Sequence, residues 1–389
     1  MPILNRIADF HGEIAQWRQD FHRHPELQFD VHRTAGKVAQ LLREFGCDEV
    51  VTGIGRTGVV ALIHGRRGTS DRVIGLRADM DALPITERSG HAYASATPGR
   101  MHACGHDGHT AMLLGAAKYL AETRNFAGTV ALIFQPAEEG GGGGREMVRE
   151  GLMERFSIAE VYGMHNMPGI AAGHFAIRPG GIMAASDQFT IEIEGRGGHA
   201  ARPHATIDPL IVAAQMTTAM QTVVSRNVDP LRPAVVSVTI IEAGEAFNVI
   251  ARTARLKGTL RALDTETRKF LPERLGEFVP AFAQSFGATA RFSYHPGYPV
   301  TVNSVAQTDF AAATAREVVG EDRVDANVDA TMGGEDFSFM LEARPGAYIF
   351  LGNGDSSELH TDTYDFNDDV LPVGASYWVR LAETALAPG

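Results

Sequence analysis

The segment TVALIFQPAEEG, residues 129–140, determines the fold. It opens with an apolar, β-branched run at residues 129–134, which is typical of a buried strand. A stretch with helical apolar spacing, residues 107–122, precedes it. Two carboxylates, Glu138 and Glu139, follow the strand directly. This sequence of helix, buried strand and polar turn is typical of an α/β protein whose functional site lies at the carboxyl ends of its strands.

The same pattern recurs along the chain. Further apolar runs that predict strands lie at residues 58–63, 73–76, 160–164 and 348–351. Polar residues follow three of these runs: Asp79 and Asp81 in RADMD, His165 in GMHN, and His360 after YIFLGNGDSSEL. Because the carboxyl ends of parallel strands meet at one edge of a sheet, these side chains are expected to lie close together. The sequence therefore predicts a mostly parallel sheet with helices on both faces.

The pattern changes between residues 186 and 298. Strand-like and helical stretches follow in the order β-α-β-β-α-β, which is typical of a ferredoxin-like α+β domain. Asp208 and Pro209 are suited to begin a helix, as the capping residue and the first helical residue. The sequence predicts a catalytic domain formed by residues 1–185 and 299–389, interrupted by an inserted lid and dimerisation domain at 186–298.

Composition restricts the class of protein. The 389 residues contain 35 Lys and Arg against 47 Asp and Glu, a formal charge of -12, which disfavours nucleic acid and anionic membranes as partners. Two cysteines, Cys47 and Cys104, cannot form a disulfide framework and indicate free thiols in a reducing compartment. Neither a signal peptide nor a membrane-spanning run is expected. These observations predict a cytoplasmic protein.

The stretch MHACGHDGHT, residues 101–110, combines Cys104 with three histidines. Taken alone it is compatible with a metal site, with a nucleophilic thiol that has a histidine base, or with ordinary buried histidines. Asp107 is expected to cap the following helix. His102 and His109 are expected to be supporting residues, with His109, at the helix start, close enough to a metal site to remain a candidate for a part in it. The paired carboxylates Glu138 and Glu139 favour a metal site, because buried carboxylates need cations or hydrogen bonds.

Several motifs together resemble the M20 metallopeptidases, and within them the amidohydrolase branch of hippurate hydrolases, N-acyl-amino-acid deacylases and plant auxin-conjugate hydrolases. The resemblance extends from about His22 to His360, in the order found in that family. The motifs that carry it are RADMDALP, MHACGHDGHTAMLLGAA, FQPAEEGGGGG, GMHN, GRGGHAARPH and MGGEDFSFM.

The resemblance implies a catalytic domain with a site for two divalent ions, zinc, manganese, cobalt or nickel. It implies that Glu138 is the general base that acts on a metal-activated water, and that Asp81 lies behind a ligand. The substrate implied is an N-acyl amino acid, such as hippurate or an N-acetyl amino acid, whose amide bond is cleaved. The metal ligands implied are Cys104, His106, Glu139, His165 and His360.

For the inserted domain the resemblance implies a homodimer, in which His199 reaches the partner's active site and polarises the scissile carbonyl. Asn248 and Arg261 resemble substrate-binding positions, and Gly334 replaces a serine common at the pocket for the substrate's carboxylate. The alternatives are a dipeptidase or carboxypeptidase of the same superfamily, a catalytically silent binding homologue, and a cysteine hydrolase. The last leaves Glu139, His165 and His360 without a role.

Overall fold

The structure is a computed structural model that describes residues 5–388. Its α-helices are α1 Asn5–Asp9, α2 His11–Arg23, α3 His32–Glu44, α4 His106–Thr123, α5 Gly143–Arg149, α6 Leu152–Arg155, α7 Pro209–Asn227, α8 Thr265–Ser285, α9 Val305–Val319, α10 Ser338–Ala343 and α11 Leu371–Ala385. Its strands are β1 Glu49–Ile54, β2 Gly58–His64, β3 Val73–Asp79, β4 Thr129–Gln135, β5 Glu160–Pro168, β6 Phe175–Ala176, β7 Gly180–Met183, β8 Ala185–Glu194, β9 Gly198–His199, β10 Ala234–Ala243, β11 Val249–Ile250, β12 Thr253–Ala262, β13 Thr289–Tyr298, β14 Thr301–Asn303, β15 Val324–Asp325 and β16 Gly346–Gly354.

The chain divides into two compact units. The first comprises Met1–Ile182, Val302–Asp329 and Asp336–Gly389, and the second comprises Met183–Thr301 and Ala330–Glu335. The second unit therefore contains, besides an inserted segment close to residues 186–298, a short stretch that the sequence placed with the other domain. That stretch includes Gly334, one of the predicted substrate-binding residues.

The first unit is built on a sheet of eight strands in the order β1-β2-β4-β3-β5-β16-β6-β15. Strands β4, β3, β5 and β16 are parallel neighbours, whereas β1 and β2 pair antiparallel at one edge. All residues of β3 are buried, as expected for a parallel strand covered on both faces. The predicted mostly parallel sheet is confirmed, and the ends of β3, β4, β5 and β16 lie at one edge.

Helix α4 begins within the MHACGHDGHT motif, at His106, and lies in the core of this unit. It follows Gly105, which adopts a left-handed conformation with φ +88°, and it ends before Arg124, which is also left-handed. Its apolar residues, among them Met112, Leu113 and Leu114, are fully buried, so the helix has no solvent-facing stripe at its centre. Neither this helix nor any other within residues 5–388 combines the length and apolar character needed to cross a bilayer.

The second unit contains an antiparallel sheet in the order β10-β12-β8-β13, and helices α7 and α8 pack on it. The element order is the predicted β-α-β-β-α-β, with the short strands β9 and β11 added as a pair. Strand β8 alternates buried and more exposed residues, because one face of the sheet lies against the helices. Asp208 caps α7 as predicted, since its carboxylate accepts a hydrogen bond from the Leu210 amide at 2.9 Å.

Candidate metal centre

The five predicted ligands lie together at the carboxyl edge of the first unit's sheet. The Cys104 Sγ, His106 and His165 ligand atoms lie within 4.8 Å of one another, and so do those of Cys104, Glu139 and His360. Cys104 belongs to both groups, and its Sγ lies 3.4 Å from His165 Nε2. The Glu139 carboxylate lies 3.4 Å from His360 Nε2. Segments that are distant in the chain thus supply one cluster of sulfur, nitrogen and oxygen ligands.

Several nitrogen and oxygen atoms of this cluster are free to bind a cation. His106 Nδ1 donates to the Asp81 carbonyl at 2.8 Å, and His165 Nδ1 donates to the Asn166 carbonyl at 2.5 Å, so each Nε2 is left to face the cluster. Within residues 5–388, buried His106 Nε2 and Glu139 Oε1 have no hydrogen-bond partner. Buried polar atoms are rarely left unsatisfied, so these two fit a metal ion as their missing partner.

The electrostatics of the cluster also favour positive charge. Burial raises the pKa of the Cys104 thiol well above its usual range, and the carboxylates of Glu139 and Glu138 raise it further. Burial opposes protonation of His106, but nearby carboxylates, above all Asp79, raise its pKa to about 10. A divalent cation would balance this concentration of negative charge and hold Cys104 as a thiolate. The residues present therefore fit a divalent metal site.

The paired carboxylates are held by a third acidic residue. Asp81 accepts hydrogen bonds from the amides of Glu138 and Glu139, at 2.9 and 3.1 Å, and its backbone carbonyl accepts from His106. Ala137, which precedes Glu138, is buried and has a left-handed backbone conformation, with φ +55°. Gln28, also left-handed, donates from its side-chain amide to the Glu139 carbonyl. The tight turn after β4 therefore presents both carboxylates, and Asp81 accepts hydrogen bonds from its backbone.

Asp107 differs from its predicted role as a helix cap. Helix α4 begins after Gly105 without a side-chain cap, and Asp107 is buried in its first turn. Its carboxylate accepts a hydrogen bond from His22 Nδ1 at 2.8 Å and lies 3.6 Å from Arg18 Nη1. His22 Nε2 lies 3.2 Å from the Glu87 carboxylate. Asp107 therefore anchors α4 to α2, and nothing local in the sequence indicated Arg18 or His22 as its partners.

Further buried polar residues form hydrogen bonds beside the centre. Arg77 donates to Asp79 at 2.6 Å, to Asp336 at 3.0 Å and to Gln135 at 2.9 Å. Asp79 also accepts a hydrogen bond from His109 at 2.6 Å. Both oxygens of Asp79 are thus occupied, which favours a supporting role over direct ligation for this residue. The RADMD motif indicated Asp79 in the sequence, whereas its partner Arg77 was not singled out.

The remaining predicted residues lie in the second unit. His199 on β9 is exposed, pairs with Val249 on β11, and accepts a hydrogen bond at Nδ1 from the Ala201 amide at 3.1 Å. The Ala200 amide donates to the Asn248 carbonyl at 3.0 Å, so His199 and Asn248 flank one short strand pair.

Arg261 and Gly334 lie elsewhere in that unit. Burial lowers the pKa of Arg261 on β12, whose guanidinium donates to the Leu260 carbonyl at 3.0 Å. Gly334 packs closely on Ser186, because a Cβ added to it would lie 2.7 Å from the Ser186 Cβ. Glycine at position 334 therefore allows Ser186 to pack closely against it, where the Cβ of a serine would be too near.

Fold and site together define a metal-dependent hydrolase, and comparisons with known proteins give its family. The pattern of peptidase family M20/M25/M40 matches residues 75–384. A hippurate hydrolase of Campylobacter jejuni is 45% identical over 382 residues, 98% of this chain and 99% of that protein. An N-acetylcysteine deacetylase of Bacillus subtilis is 38% identical over 97% of this chain and 98% of that protein.

A solved structure agrees with these sequence relatives. The Bacillus subtilis YXEP protein, described as a dinuclear metal binding peptidase of the M20 family, superposes with a TM-score of 0.85 at 34% identity, over 97% of this chain and 99% of that chain. The chain belongs to peptidase family M20/M25/M40. The resemblance to its amidohydrolase branch is confirmed, and the chain is a hydrolase of amide bonds that uses divalent metal.

Proposed function

We propose that this enzyme hydrolyses the amide bond of N-acyl amino acids, with Glu138 as general base beside a site for two divalent ions. The observation that carries the proposal is the convergence of two buried ligand atoms that have no hydrogen-bond partner within residues 5–388, His106 Nε2 and Glu139 Oε1, next to a second carboxylate held on the same turn. The two curated relatives support the substrate class, since hippurate and N-acetylcysteine are both N-acylated amino acids.

The two overlapping ligand groups support two ions per subunit. His106 and His165 would hold one ion, Glu139 and His360 the other, and the thiolate of Cys104 is available to both. Thiolate, imidazole and carboxylate together suit zinc, and they are compatible with manganese, cobalt or nickel. Such ions supply Lewis-acid chemistry, which lowers the pKa of water and polarises an amide carbonyl.

Glu138 carries the proton transfers in this proposal. Its side chain is largely buried, and its backbone is fixed by Asp81, so its carboxylate is directed independently of the neighbouring ligand Glu139. The Glu138 carboxylate takes a proton from the attacking water and delivers it to the amide nitrogen as the carbon–nitrogen bond breaks. A positioned general base of this kind typically contributes about 10²–10⁴-fold in rate.

The second unit supplies substrate contacts in this proposal, across a homodimer. His199 donates to the carbonyl oxygen as negative charge develops on it, and Asn248, Arg261 and the backbone at Gly334 bind the amino-acid part of the substrate. Exposed apolar side chains in this unit support self-association: Leu210, Ile211, Ile240, Ile241, Phe247 and Val249. A cytoplasmic location is part of the proposal, because a thiol ligand such as Cys104 must stay reduced.

The test compares wild type with Glu138→Gln on hippurate, on a panel of N-acetyl amino acids and on dipeptides with a free α-amino group. Wild type is expected to hydrolyse the acylated substrates and to lose this activity in EDTA. Glu138→Gln is expected to retain its metal content, measured by atomic absorption, while kcat falls about 10²–10⁴-fold. Loss of metal from this variant would refute its assignment as base. Hydrolysis of the dipeptides alone would refute the substrate class.

A further inference from the structure

We propose that His109 is a positioning residue for the metal centre, which clamps helix α4, the carrier of His106, between strands β3 and β5. The inference rests on the proposed function, because it assumes that the cluster around Cys104, His106 and His165 holds cations. His109 is 2% exposed and lies in the first turn of α4, one helical turn after His106.

The two ring nitrogens of His109 have different partners. Nδ1 donates to Asp79 Oδ1 on β3 at 2.6 Å. Nε2 lies 2.7 Å from Asn166 Oδ1 on β5 and 3.0 Å from the Asn166 backbone nitrogen. Both nitrogens are therefore occupied, so His109 joins β3 to β5 and is not itself a ligand, although its atoms lie within 4.8 Å of those of Asp79 and His106.

The clamp is part of a longer buried chain of hydrogen bonds. On one side Asp79 accepts from Arg77 at 2.6 Å, and Arg77 also donates to Asp336 at 3.0 Å. On the other side the Asn166 side-chain amide is hydrogen bonded to the Tyr364 hydroxyl. These residues are each at most 2% exposed, so water does not compete for their hydrogen bonds. Because every member is tied to the next, the His109 ring cannot shift without breaking a buried hydrogen bond.

This buried layer of hydrogen-bonded residues, which joins Asp79, His109 and Asn166, also contacts the backbone that carries the ligands. Asn166 follows His165 and accepts, at its carbonyl, the hydrogen bond from His165 Nδ1 at 2.5 Å. Gly105, which lies between Cys104 and His106, packs so closely that a Cβ added there would lie 2.1 Å from Asn166 Oδ1. The layer thus borders all three ligands of one group, and removal of the His109 ring would free them to move.

The experiment titrates the metal-free enzyme with Co²⁺ and records the visible absorption spectrum and the affinity, the latter by competition with a chromophoric chelator. The variants are His109→Phe, which removes the hydrogen bonds of both ring nitrogens, and His109→Asn, which keeps a donor near the Nδ1 position. His102→Phe is the matched control, because His102 is 1% exposed in the same segment and its ring nitrogens have no hydrogen-bond partner within the described residues. Thermal unfolding of each variant defines the temperature range in which the titrations are made.

We expect His109→Phe to bind Co²⁺ about 10–100-fold more weakly, the usual effect of losing a residue that orients ligands, and to show altered absorption bands. His109→Asn should fall between it and wild type, and His102→Phe should match wild type in both measurements. A His109→Phe or, if that does not fold, a His109→Asn enzyme with wild-type affinity and spectrum would overturn the proposal. An equal loss in His102→Phe would do the same.

The same measurements distinguish a failure of the proposed function from a failure of the role proposed for His109. A wild-type enzyme that binds Co²⁺ but hydrolyses no N-acyl amino acid would refute the function and leave the comparison of His109 variants decisive. A wild-type enzyme that binds no Co²⁺ would overturn both proposals, because the layer would then position no ligands.

Discussion

Substitution of Gly105 by alanine is expected to destabilise the first unit and to weaken metal binding. Gly105 lies between the candidate ligands Cys104 and His106 and has φ +88°, a conformation that residues with a Cβ rarely adopt. A Cβ added there would lie 2.1 Å from Asn166 Oδ1 and 2.7 Å from the Tyr364 hydroxyl. Asn166 cannot move aside easily, because its backbone amide and its side chain are both hydrogen bonded.

The expected loss of unfolding free energy in Gly105→Ala has two parts. A left-handed conformation costs an alanine about 1–2 kcal/mol relative to glycine. Forcing a methyl group into a filled space costs about 1–3 kcal/mol more. The free energy of unfolding should therefore fall by about 2–5 kcal/mol, less a few tenths recovered because alanine restricts the unfolded chain. Metal affinity should fall as well, since relief of the clash shifts the segment that carries two ligands.

Denaturant unfolding followed by tryptophan fluorescence measures this change. The two tryptophans, Trp17 and Trp378, both lie in the first unit, so the signal reports on that unit alone. Gly90→Ala is the matched control, because Gly90 is also left-handed at φ +76° and an added Cβ would meet nothing within 4 Å. It retains the conformational cost without the clash. Gly105→Ala should exceed it by about 1–3 kcal/mol. Equal destabilisation of the two variants would refute the clash with Asn166.

Three further predictions test the site. Cys104→Ser should lose metal and activity, recover part of both in excess metal, and accumulate no acyl-enzyme detectable by mass spectrometry; a trapped acyl-enzyme would indicate a nucleophilic thiol instead. Inactive His199→Ala and Glu138→Ala subunits should regain activity when mixed, if His199 acts across a dimer, whereas continued inactivity after proven subunit exchange would contradict this. Burial disfavours the charged form of His22, but hydrogen bonds to Asp107 and a second carboxylate raise its pKa to about 9. This folded pKa lies above the value of about 6.5 in unfolded chains, so the stability contributed by His22 is complete below about pH 6.5 and lost as the pH rises through 9. Denaturation midpoints should fall over that range in wild type and stay flat in His22→Gln, and parallel curves would exclude His22.

The parts of the fold that the sequence predicted are those whose physical signal is local. Strands β3, β4, β5 and β16 are buried on both faces and therefore appear as continuous apolar runs. Strands β6 and β15 have two residues each and were not predicted, because two residues carry no periodicity. The assignment of Ala330–Glu335 to the second unit was also missed, since only tertiary contacts separate it from its neighbours in the chain.

The candidate site, like the fold, has parts that the sequence predicted and parts that it did not. The clustering of the five candidate ligands was predictable, because each lies close after an apolar strand or in the Cys-His motif, and parallel strand ends share an edge. The partners of Asp107 were not predictable from the sequence. Arg18 and His22 are separated by four positions on α2 and reach Asp107 only once α2 packs on α4. A buried charge requires a partner, but the sequence does not state where in the chain that partner lies.

The surroundings of the metal centre hold it in place by two separate means. The first turn of α4 is tied on one side through Asp107 to α2 and on the other through His109 to β3 and β5. In the segments that follow β4 and β16, Ala137 and His360 adopt left-handed conformations at φ +55° and +63°, which typically cost about 1–3 kcal/mol each. A thiolate and neighbouring carboxylates repel one another, and a cation between them offsets this repulsion. The left-handed turns and the buried hydrogen bonds adjoin the candidate ligands, so the fold itself contributes to holding those ligands close together.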